Sequence, residues 1–386
     1  MQRDAAALKA ALADLEQRNL KRRRRTGVGG LVNFCSNDYL GLMNHPEVTR
    51  AFTAAAEKYG VGSGAAHLVT GHGPEHAALE EELAAFTGRE RALVFSTGYM
   101  ANMGVIGALA DQNALIVADK LNHASLIDGA RLSGAEVRRY PHGDFARAGE
   151  LIEKAVPETT TRLLVTDGVF SMDGDIAPLP ALARAARSAK AWLVVDDAHG
   201  LGVIGATGRG SCELHSALRA DDVPVLIGTF GKAFGTFGAF VAGDADLVEY
   251  LVQKARTYIF TTALPRAVAA ATRASIRVSE RESWRREKAI ALARRLGTGL
   301  VERGFDEAAR GAFNGTTIVP ILLGSEERAL AASRALEEKG FLVSAIRPPT
   351  VPTGTARLRI TFSAAHEEAQ VDALLDALAL VLERPA

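Results

Sequence analysis

The chain has 386 residues, enough for two domains and a large core, and its 45 lysine and arginine residues equal its 45 aspartate and glutamate residues. Balanced charge gives no general attraction to nucleic acid or to an anionic membrane, and no apolar run reaches the roughly 20 residues of a membrane span. The two cysteines, Cys35 and Cys212, cannot form a disulfide framework or a thiolate metal site. The beginning of the chain carries acidic residues and no apolar signal core, so we expect a cytoplasmic protein without nucleic-acid, membrane or metal partners.

The first 24 or so residues have Leu8, Leu12 and Leu15 at helical spacing and predict an amphipathic helix that ends in the basic run Lys21–Arg25. Two interpretations of the run stay open. Its side chains are solvated at a helix end, where the helix dipole favours cations, or one arginine points at an acidic ligand. Nucleic-acid binding is the weaker third alternative, because no aromatic residues are interleaved. We assign residues 1–44 to an N-terminal helix and arm.

From about residue 45, strand-like and helix-like segments alternate, which predicts an α/β fold with a mostly parallel sheet and helices on both faces. The predicted helices include Glu75–Thr87, Gly98–Ala110 and Leu179–Ala189. The predicted strands are Ala92–Ser96, Ala114–Asp119, Glu136–Tyr140, Arg162–Asp167, Ala191–Asp196, Val225–Thr229 and Ala239–Ala242. Ligands of such sheets bind at the C-terminal ends of the strands, so residues that follow them can converge.

A long helical segment, roughly Asp246–Glu302, is predicted next, and Pro265 must break or kink it. The pattern then predicts a small α+β domain with the order strand, helix, two strands, helix. Its elements are Thr316–Leu322, Glu326–Lys339, Val343–Ile346, Ala356–Thr361 and Glu367–Leu382. We therefore expect a large domain over residues 45–280 and a small C-terminal domain over residues 281–386.

One lysine, Lys232, lies in a loop of small residues directly after the apolar run Val225–Ile227. About one strand and helix upstream, another apolar run ends in Asp196, and His199 follows. A strand that ends in an acid beside a strand that ends in a lysine suits pyridoxal phosphate chemistry. The lysine forms an imine with the cofactor aldehyde, and the acid keeps the ring nitrogen protonated so that the ring accepts electrons.

Other interpretations of this pattern are weaker. A nucleotide-type phosphate loop needs a glycine and a serine or threonine where the chain has Ile227 and Ala233. A surface lysine in a glycine turn remains as an alternative for the loop alone. Asp196 and His199 in isolation suit a metal ion, but no third ligand stands at a convincing spacing.

Three further stretches follow predicted strands. Thr97, Gly98 and Tyr99 open a helix, where free backbone N–H groups bind anions, although an ordinary strand-to-helix turn would look the same. His123 is placed to stack on a cofactor ring or to serve as a structural histidine. Ser171 lies in a turn rich in aspartate, and such turns often only cap the backbone.

Six short motifs occur in one order along nearly the whole chain: Asn37–Leu42, Gly62–Gly64, His123–Ser125, Phe170–Gly174, Asp196–Gly200 and Thr229–Ala233. Together they resemble the α-oxoamine synthases, pyridoxal phosphate enzymes of the aspartate-aminotransferase fold, fold type I. The tail Ile346–Arg359 is most similar to the branch that condenses L-alanine with a pimeloyl thioester in biotin biosynthesis. That resemblance implies a decarboxylative acyl transfer that releases CO2 and the free thiol carrier.

The resemblance also implies residue roles. In the cofactor site, Lys232 is the imine lysine and the α-proton base, and the other contacts come from Thr97, Gly98, Tyr99, His123, Ser171, Asp196, His199 and Thr229. The substrates are bound by Arg22, Asn37, His123, Thr350 and Arg359, with Arg359 on the alanine carboxylate. Thr261 and Thr262 cross the interface of a homodimer to the partner's cofactor phosphate.

Several points stay open. Asp167 stands where the family has glutamate and His67 where it has arginine, which leaves substrate choice undecided. The register of Arg22 within the basic run is uncertain by a residue or two, and the acyl carrier is coenzyme A or an acidic acyl carrier protein. A sister synthase that uses glycine or serine is the nearest alternative function. An ordinary aminotransferase is a more distant alternative function. A catalytically silent subunit is another, but such a subunit should have lost Lys232, which is present.

Overall fold

The computed structural model describes residues 4–27, 29–154, 160–214, 218–305 and 313–382. The helices are α1 Ala5–Gln17, α2 Pro46–Tyr59, α3 Pro74–Thr87, α4 Gly98–Leu109, α5 Ala124–Ser133, α6 Phe145–Glu153, α7 Leu179–Ser188, α8 Ala245–Lys254, α9 Arg256–Ile259, α10 Arg266–Arg281, α11 Trp284–Glu302, α12 Glu326–Glu338 and α13 Glu368–Leu382. The strands are β1 Val32–Asn33, β2 Arg91–Phe95, β3 Leu115–Asp119, β4 Glu136–Tyr140, β5 Arg162–Asp167, β6 Trp192–Asp196, β7 Val225–Thr229, β8 Ala239–Gly243, β9 Ile318–Gly324, β10 Phe341–Leu342, β11 Ser344–Ile346 and β12 Ala356–Thr361.

The central sheet has seven strands in the order β2-β8-β7-β6-β5-β3-β4. All neighbours from β7 to β4 are parallel, and β8 runs antiparallel to both β2 and β7. The sheet consists of the seven strands predicted from the sequence, with bounds that agree within one residue. The mostly parallel α/β fold is therefore confirmed.

Helices cover both faces of this sheet, which explains why its inner strands are continuous apolar runs. On one face α4, α5 and α8 enclose a core with Val105, Ile116 and Val194. On the other face α6 and α7 enclose a second core with Leu151, Leu182 and Val195. Because both faces are filled by helices, the polar residues that follow the strands collect at the carboxyl edge of the sheet.

The C-terminal part has a three-stranded antiparallel sheet in the order β11-β12-β9, covered by α11, α12 and α13. A separate two-stranded parallel pair joins β1 to β10, and Phe34 after β1 is fully buried in the same core. The sequence analysis missed both short strands, because two residues carry no readable periodicity. The pairing fixes the N-terminal arm to the C-terminal part of the chain.

Two predicted helices have different bounds in the structure. Helix α1 ends at Gln17, before the basic run, because Asn19 adopts a left-handed conformation with φ 56°. The single long segment predicted over Asp246–Glu302 is divided into α8, α9, α10 and α11, and Pro265 lies at the start of α10. The domain limits at residues 45 and 281 stay a proposal. Among the described residues, no helix has the length and apolarity that crossing a membrane requires.

Candidate active site

Two adjoining cavities lie at the carboxyl edge of the central sheet, and His123 contributes to the wall of both. The smaller has a volume of about 300 Å³, and the larger has a volume of about 570 Å³. The predicted residues that line the smaller one are Asn37, Thr97, Gly98, Tyr99, His123, Asp196, His199, Thr229 and Lys232. Those that line the larger one are Arg22, His123, Ser171 and Thr350. The structure thus brings together residues from distant parts of the chain.

Lys232 follows β7 in a tight loop that projects its amine into the smaller cavity. Gly235 closes this loop with φ 63°, and a Cβ there would lie 2.4 Å from the backbone nitrogen of Met43. Burial lowers the pKa of the Lys232 amine, although the charge of Asp196 opposes the effect. Among the described residues no carboxylate lies within ion-pair distance of this amine. A desolvated amine without a salt bridge suits imine formation and proton abstraction.

Asp196 ends β6 and is only 4% exposed. Its Oδ2 accepts a hydrogen bond of 2.6 Å from Asn102 Nδ2, and its Oδ1 accepts one of 3.1 Å from the Ala198 amide. Asn102 in turn donates to Ser125 Oγ at 2.7 Å. The carboxylate is therefore fixed in orientation and keeps lone pairs for a donor inside the cavity.

A chain of hydrogen bonds runs from His199 to Arg359. His199 Nδ1 and the hydroxyl of Tyr39 are 2.7 Å apart, and that hydroxyl also accepts a hydrogen bond of 3.4 Å from Arg359 Nη2. Both Arg359 Nη atoms donate to Asn37 Oδ1 at 3.2 Å, and Nε donates to the Ser171 carbonyl at 2.6 Å. Burial holds the pKa of His199 well below its usual range, so the ring is neutral. A buried guanidinium with only neutral partners suits a carboxylate ligand.

His123 caps the N-terminus of α5, and its backbone amide donates a hydrogen bond of 2.7 Å to Asp167 Oδ2. Asp167, which is one carbon shorter than the glutamate that the resemblance predicts here, therefore still binds the backbone of His123. The Nδ1 atom lies 2.7 Å from Ser125 Oγ, and burial lowers the pKa of the ring. Burial and the nearby Asp196 raise the pKa of Asp167. The imidazole is thus neutral and fixed at the boundary of the two cavities.

The basic run resolves into residues with different partners. Lys21 and Arg23 both bind Glu16, at 2.5 and 2.8 Å, and Arg25 binds Glu337 at 2.5 Å. These contacts are solvated ion pairs, as in the first of the two open interpretations. Arg22 instead lines the larger cavity, and its Nη2 donates to Thr350 Oγ1 at 3.5 Å. The geometry therefore selects Arg22 as the arginine of the run that reaches the cavity.

The residues present fit pyridoxal phosphate. Thr97 caps α4 and accepts a hydrogen bond of 3.2 Å from the Met100 amide. Thr97, Gly98 and Tyr99 line the smaller cavity, so the N-terminus of this helix, which favours anions, lies at its wall. A Cβ at Gly98 would lie 2.6 Å from Thr229 Cγ2, so a larger residue would fill this cradle. The Thr229 hydroxyl is buried without a hydrogen-bond partner, which leaves it for a ligand. These features suit a phosphate, and Asp196 and Lys232 suit the ring and the aldehyde.

Some predicted residues lie elsewhere. Ser171 lies in the larger cavity and not against the smaller one, where the cofactor assignment placed it. Thr261 and Thr262 line neither cavity of the single chain, and Thr262 is exposed. Ser96 Oγ donates to the Thr262 carbonyl at 3.3 Å, which places Thr262 beside the start of α4. Their contact with a partner's phosphate stays a prediction.

Sequence reasoning missed two contributors to the site. Tyr39 was quoted within a motif without a role, yet it joins His199 to Arg359. Asn102 lies in α4 and orients Asp196. Only the position of Tyr39 in a recognised motif gave a signal, because both contacts link residues more than ninety positions apart.

His67, where the resemblance predicts arginine, lies in a buried histidine cluster. Its ring stacks on Tyr258 with centroids 4.8 Å apart, and its Nδ1 lies 3.1 Å from Nδ1 of His72. The Nε2 atom is buried without a hydrogen-bond partner. Burial, with His76 and His72 nearby, lowers the pKa of His67 to about 3. A neutral histidine ring therefore occupies the position where the resemblance predicts a positively charged arginine. Among the residues that the structure describes, no group of histidine, cysteine or acidic side chains is arranged to hold a metal ion.

This depressed pKa predicts an acid-sensitive contribution to stability. The folded value of about 3 lies below the ordinary value of 6.5, so the contribution is complete above 6.5 and is lost as pH falls toward 3. The free energy of unfolding of the parent, relative to a His67→Leu variant, should decrease by about 1.4 kcal/mol per pH unit in that range. Urea unfolding of both proteins at several pH values measures this difference in the free energy of unfolding.

The comparison with the variant is necessary because burial raises the pKa of Glu80 to about 7, which gives the opposite slope over part of the range. Val69→Ala, at a position 73% exposed in the same turn, is the control and should keep the parent's pH dependence. Parallel curves for parent and His67→Leu would contradict the prediction.

Known proteins share both the sequence and the fold. The family model for aminotransferase class I and II matches residues 30–378. An 8-amino-7-oxononanoate synthase from Methylococcus capsulatus is 61% identical over 90% of this chain and 88% of its own length. A second, from Pseudomonas putida KT2440, is 58% identical over 90% of this chain and 87% of its own.

Two solved structures extend this likeness to three dimensions. A serine palmitoyltransferase from S. paucimobilis with a bound PLP–myriocin aldimine has a TM-score of 0.90 and 31% identity, and the match covers 98% of each chain. An 8-amino-7-oxononanoate synthase from Francisella tularensis has a TM-score of 0.79 and 29% identity, over 92% of this chain and 98% of the other.

The chain therefore belongs to the aminotransferase class I and II family and, within it, to the family of the 8-amino-7-oxononanoate synthases. Its fold is that of the pyridoxal phosphate enzymes, and pyridoxal phosphate is its cofactor. The resemblance, the fold class and the cofactor predicted from the sequence are confirmed. The individual site residues stay assignments that rest on motif and geometry.

Proposed function

We propose that the chain condenses L-alanine with a pimeloyl thioester and releases 8-amino-7-oxononanoate, CO2 and the free thiol carrier. The observation that carries this proposal is the pair of cavities joined at His123, with Lys232 and Asp196 in one and an apolar wall in the other. The apolar wall includes Ile127 and Val351, which suit an acyl chain. The relatives with 55–61% identity carry the name of this activity.

The amino acid would bind in the smaller cavity. Arg359 would bind its carboxylate, since the guanidinium is held in place by Asn37 and the Ser171 carbonyl. The Lys232 amine, whose pKa is lowered by burial, would take the proton from the α-carbon. When bound, pyridoxal phosphate supplies the aldehyde that captures the amino group and a ring that accepts the electron pair left on that carbon. Asp196 would hold the proton on the ring nitrogen.

The acyl thioester would occupy the larger cavity. Its carbonyl carbon would then lie at the shared wall, next to His123 and the amino acid. The other boundary is formed by Arg22 and Thr350, which belong to the arm and to the small domain. Holding the two reactants in contact would lower the activation barrier by roughly 7–11 kcal/mol.

Two further assignments belong to this proposal. The active form would be a homodimer, as the family resemblance implies, in which Thr261 and Thr262, which line neither cavity of the single chain, contact the partner's cofactor phosphate. We place the enzyme in the cytoplasm, where its two unpaired cysteines stay reduced.

The test is to incubate the purified, cofactor-loaded protein with L-alanine and pimeloyl coenzyme A and to weigh the products by mass spectrometry. We expect 8-amino-7-oxononanoate, and we expect it only when both substrates are present. If alanine changes the visible absorbance of the cofactor but no product forms, the acyl assignment is wrong. The sister activity with glycine or serine and another thioester, favoured by the likeness to serine palmitoyltransferase, would then be measured.

The identity of the acyl carrier is tested in a parallel experiment, in which a pimeloyl acyl carrier protein replaces pimeloyl coenzyme A. An acidic carrier protein would be attracted to Arg23, Arg24 and Arg25, which directly follow the cavity residue Arg22 in the chain. Reversing these charges should lower turnover of the carrier-protein substrate and leave pimeloyl coenzyme A turnover unchanged. Unchanged turnover of both substrates would contradict docking at this run.

Arg22→Ala should raise the KM for pimeloyl coenzyme A about tenfold or more, because a charge-assisted hydrogen bond contributes about 1.5–3 kcal/mol. The KM for alanine should stay within error, since Arg22 lines only the larger cavity. Arg23→Ala is the matched control, because Arg23 is paired with Glu16 on the surface. Equal KM values for the two variants would show that the wrong arginine was selected. Steady-state kinetics with both substrates varied provide the measurement.

A further inference from the structure

A half-buried clamp lies behind the active site, between the residues that follow β3 and those that follow β5. The segment of residues 120–123 follows β3 and ends at His123; we call it the His123 loop. The segment of residues 168–178 follows β5 and carries Ser171; we call it the Ser171 loop. His142, which follows the edge strand β4, lies between them and contributes to neither cavity described above.

The clamp consists of one imidazole and two carboxylates. His142 Nδ1 lies 3.1 Å from Asp119 Oδ1 and 3.2 Å from its Oδ2, and Nε2 lies 2.9 Å from Asp175 Oδ2. Its ring also packs edge-on against Phe170, with centroids 4.4 Å apart and planes at 79°. Both ring nitrogens thus face acceptors that bear charge, an arrangement that requires a proton on each nitrogen.

Each carboxylate belongs to one of the two loops. Asp119 ends β3, is 2% exposed, and its Oδ1 accepts a hydrogen bond of 2.8 Å from the Leu121 amide, at the start of the His123 loop. Its Oδ2 also accepts from the Gly143 amide at 3.3 Å, which binds the loop after β4 to the same group. Asp175 lies on the Ser171 loop, two residues from Asp173.

The Ser171 loop reaches the small domain through two arginines of β12. The Ser171 carbonyl accepts a hydrogen bond of 2.6 Å from Arg359 Nε, and the Asp173 carboxylate is paired with Arg357. A displacement of this loop would move the carbonyl that binds Arg359 Nε, while the hydrogen bonds from the guanidinium to Asn37 and Tyr39 would remain. Because a small displacement of a binding group weakens its contacts, the position of Asp175 contributes to the orientation of Arg359.

We infer that His142, as an imidazolium held between Asp119 and Asp175, is a positioning residue that fixes the His123 loop and the Ser171 loop and thereby orients Arg359 for the amino-acid carboxylate. The inference rests on the proposed function, in which Arg359 binds that carboxylate. The titratable groups that face His142 are Asp119, Asp175 and Tyr140. The two acids raise the pKa of His142 to about 10, against the effect of burial, and burial raises the pKa of Tyr140. The clamp is therefore charged at neutral pH and is lost as pH rises through 10.

The first test uses NMR of the holoenzyme with labelled histidine. The His142 ring, assigned by its loss in His142→Gln, should show both nitrogens protonated at neutral pH and should titrate far above the ordinary range of histidine. A neutral His142 ring at neutral pH would overturn the inference, whatever the activity of the protein. If His142→Gln does not fold, Asp175→Asn provides the assignment through the shift of the same signal.

The second test separates alanine binding from turnover. His142→Gln and Asp175→Asn should raise the KM for alanine by about tenfold to a hundredfold, the range expected for a group displaced by about 1 Å. The KM for the thioester and the amount of bound cofactor should change much less. Alanine affinity, measured without thioester from the change in cofactor absorbance, should fall in parallel.

The matched control is Arg273→Gln. Arg273 is also a cation between two carboxylates, Glu75 and Glu82, and its side chain is 26% exposed against 27% for His142. It joins α10 to α3 and touches neither loop, so its loss should leave the alanine KM unchanged. Folded His142→Gln and Asp175→Asn proteins with the parent's alanine affinity would overturn the clamp. A parent that does not respond to alanine at all would instead overturn the proposed function.

Discussion

Lys232→Ala should abolish detectable condensation, with a loss of at least about 10⁴-fold, because the same side chain supplies the covalent attachment and the base. The protein should still fold. The Lys232 amine lacks an ion pair among the described residues, so its removal breaks none, and Asp196 keeps its hydrogen bonds from Asn102 and the Ala198 amide. The visible absorbance of the lysine-bound cofactor should disappear, while cofactor added in excess still binds through the phosphate site.

The measurement combines absorbance, mass spectrometry of the borohydride-reduced protein and product formation. Lys254→Ala, at the end of α8, is the control and should keep full activity and the attachment. Reduction of the parent should add the cofactor mass to the peptide that contains Lys232. Attachment to another lysine, or appreciable turnover by Lys232→Ala, would refute the assignment.

Asp196→Asn should lower kcat by about 10²–10³-fold, the range for loss of one preorganised electrostatic group. The carboxylate receives two fixed hydrogen bonds, from Asn102 Nδ2 and the Ala198 amide. An asparagine at this position would place its own NH2 group against one of these donors and could not hold a proton on the ring nitrogen. The loss should therefore appear in kcat more than in the KM for either substrate.

Asn102→Ala separates orientation from charge. It removes the 2.6 Å hydrogen bond but keeps the Asp196 carboxylate, so we expect a smaller loss than for Asp196→Asn. Steady-state kinetics and the spectrum of the bound cofactor measure both variants. Equal losses would mean that orientation, and not the negative charge, is what Asp196 contributes.

The agreement between sequence and structure is closest in the central sheet. Its inner strands are apolar runs of five or six residues between helical patterns, and burial on both faces makes them easy to recognise; the edge strand β4 is polar and mostly exposed. The same alternation predicts that Asp196 and Lys232 lie at one edge. The cofactor followed from Asp196 and Lys232 after two strands and the family from the order of six motifs, and the comparisons confirm both.

The errors fall where local pattern is weak or misleading. The first helix was predicted to end in the basic run, but α1 ends at Gln17 because Asn19 adopts a left-handed conformation. The segment between Asp246 and Glu302 was predicted as one helical stretch broken or kinked at Pro265; that break is present before α10, but the ends of α8 and α10 carry no comparable signal. The pairing of β1 with β10 joins residues more than 300 positions apart and has no local signal.

The sequence by itself determined the fold class, the family, the cofactor and the set of candidate residues, because apolar periodicity and motif chemistry are local properties of the chain. Only the tertiary structure decided which of these residues meet. It selected Arg22 from the basic run, linked His199 to Arg359 through Tyr39, and placed His142 between Asp119 and Asp175. These contacts depend on how distant segments pack, and a contact between distant segments leaves no trace in the spacing of either one.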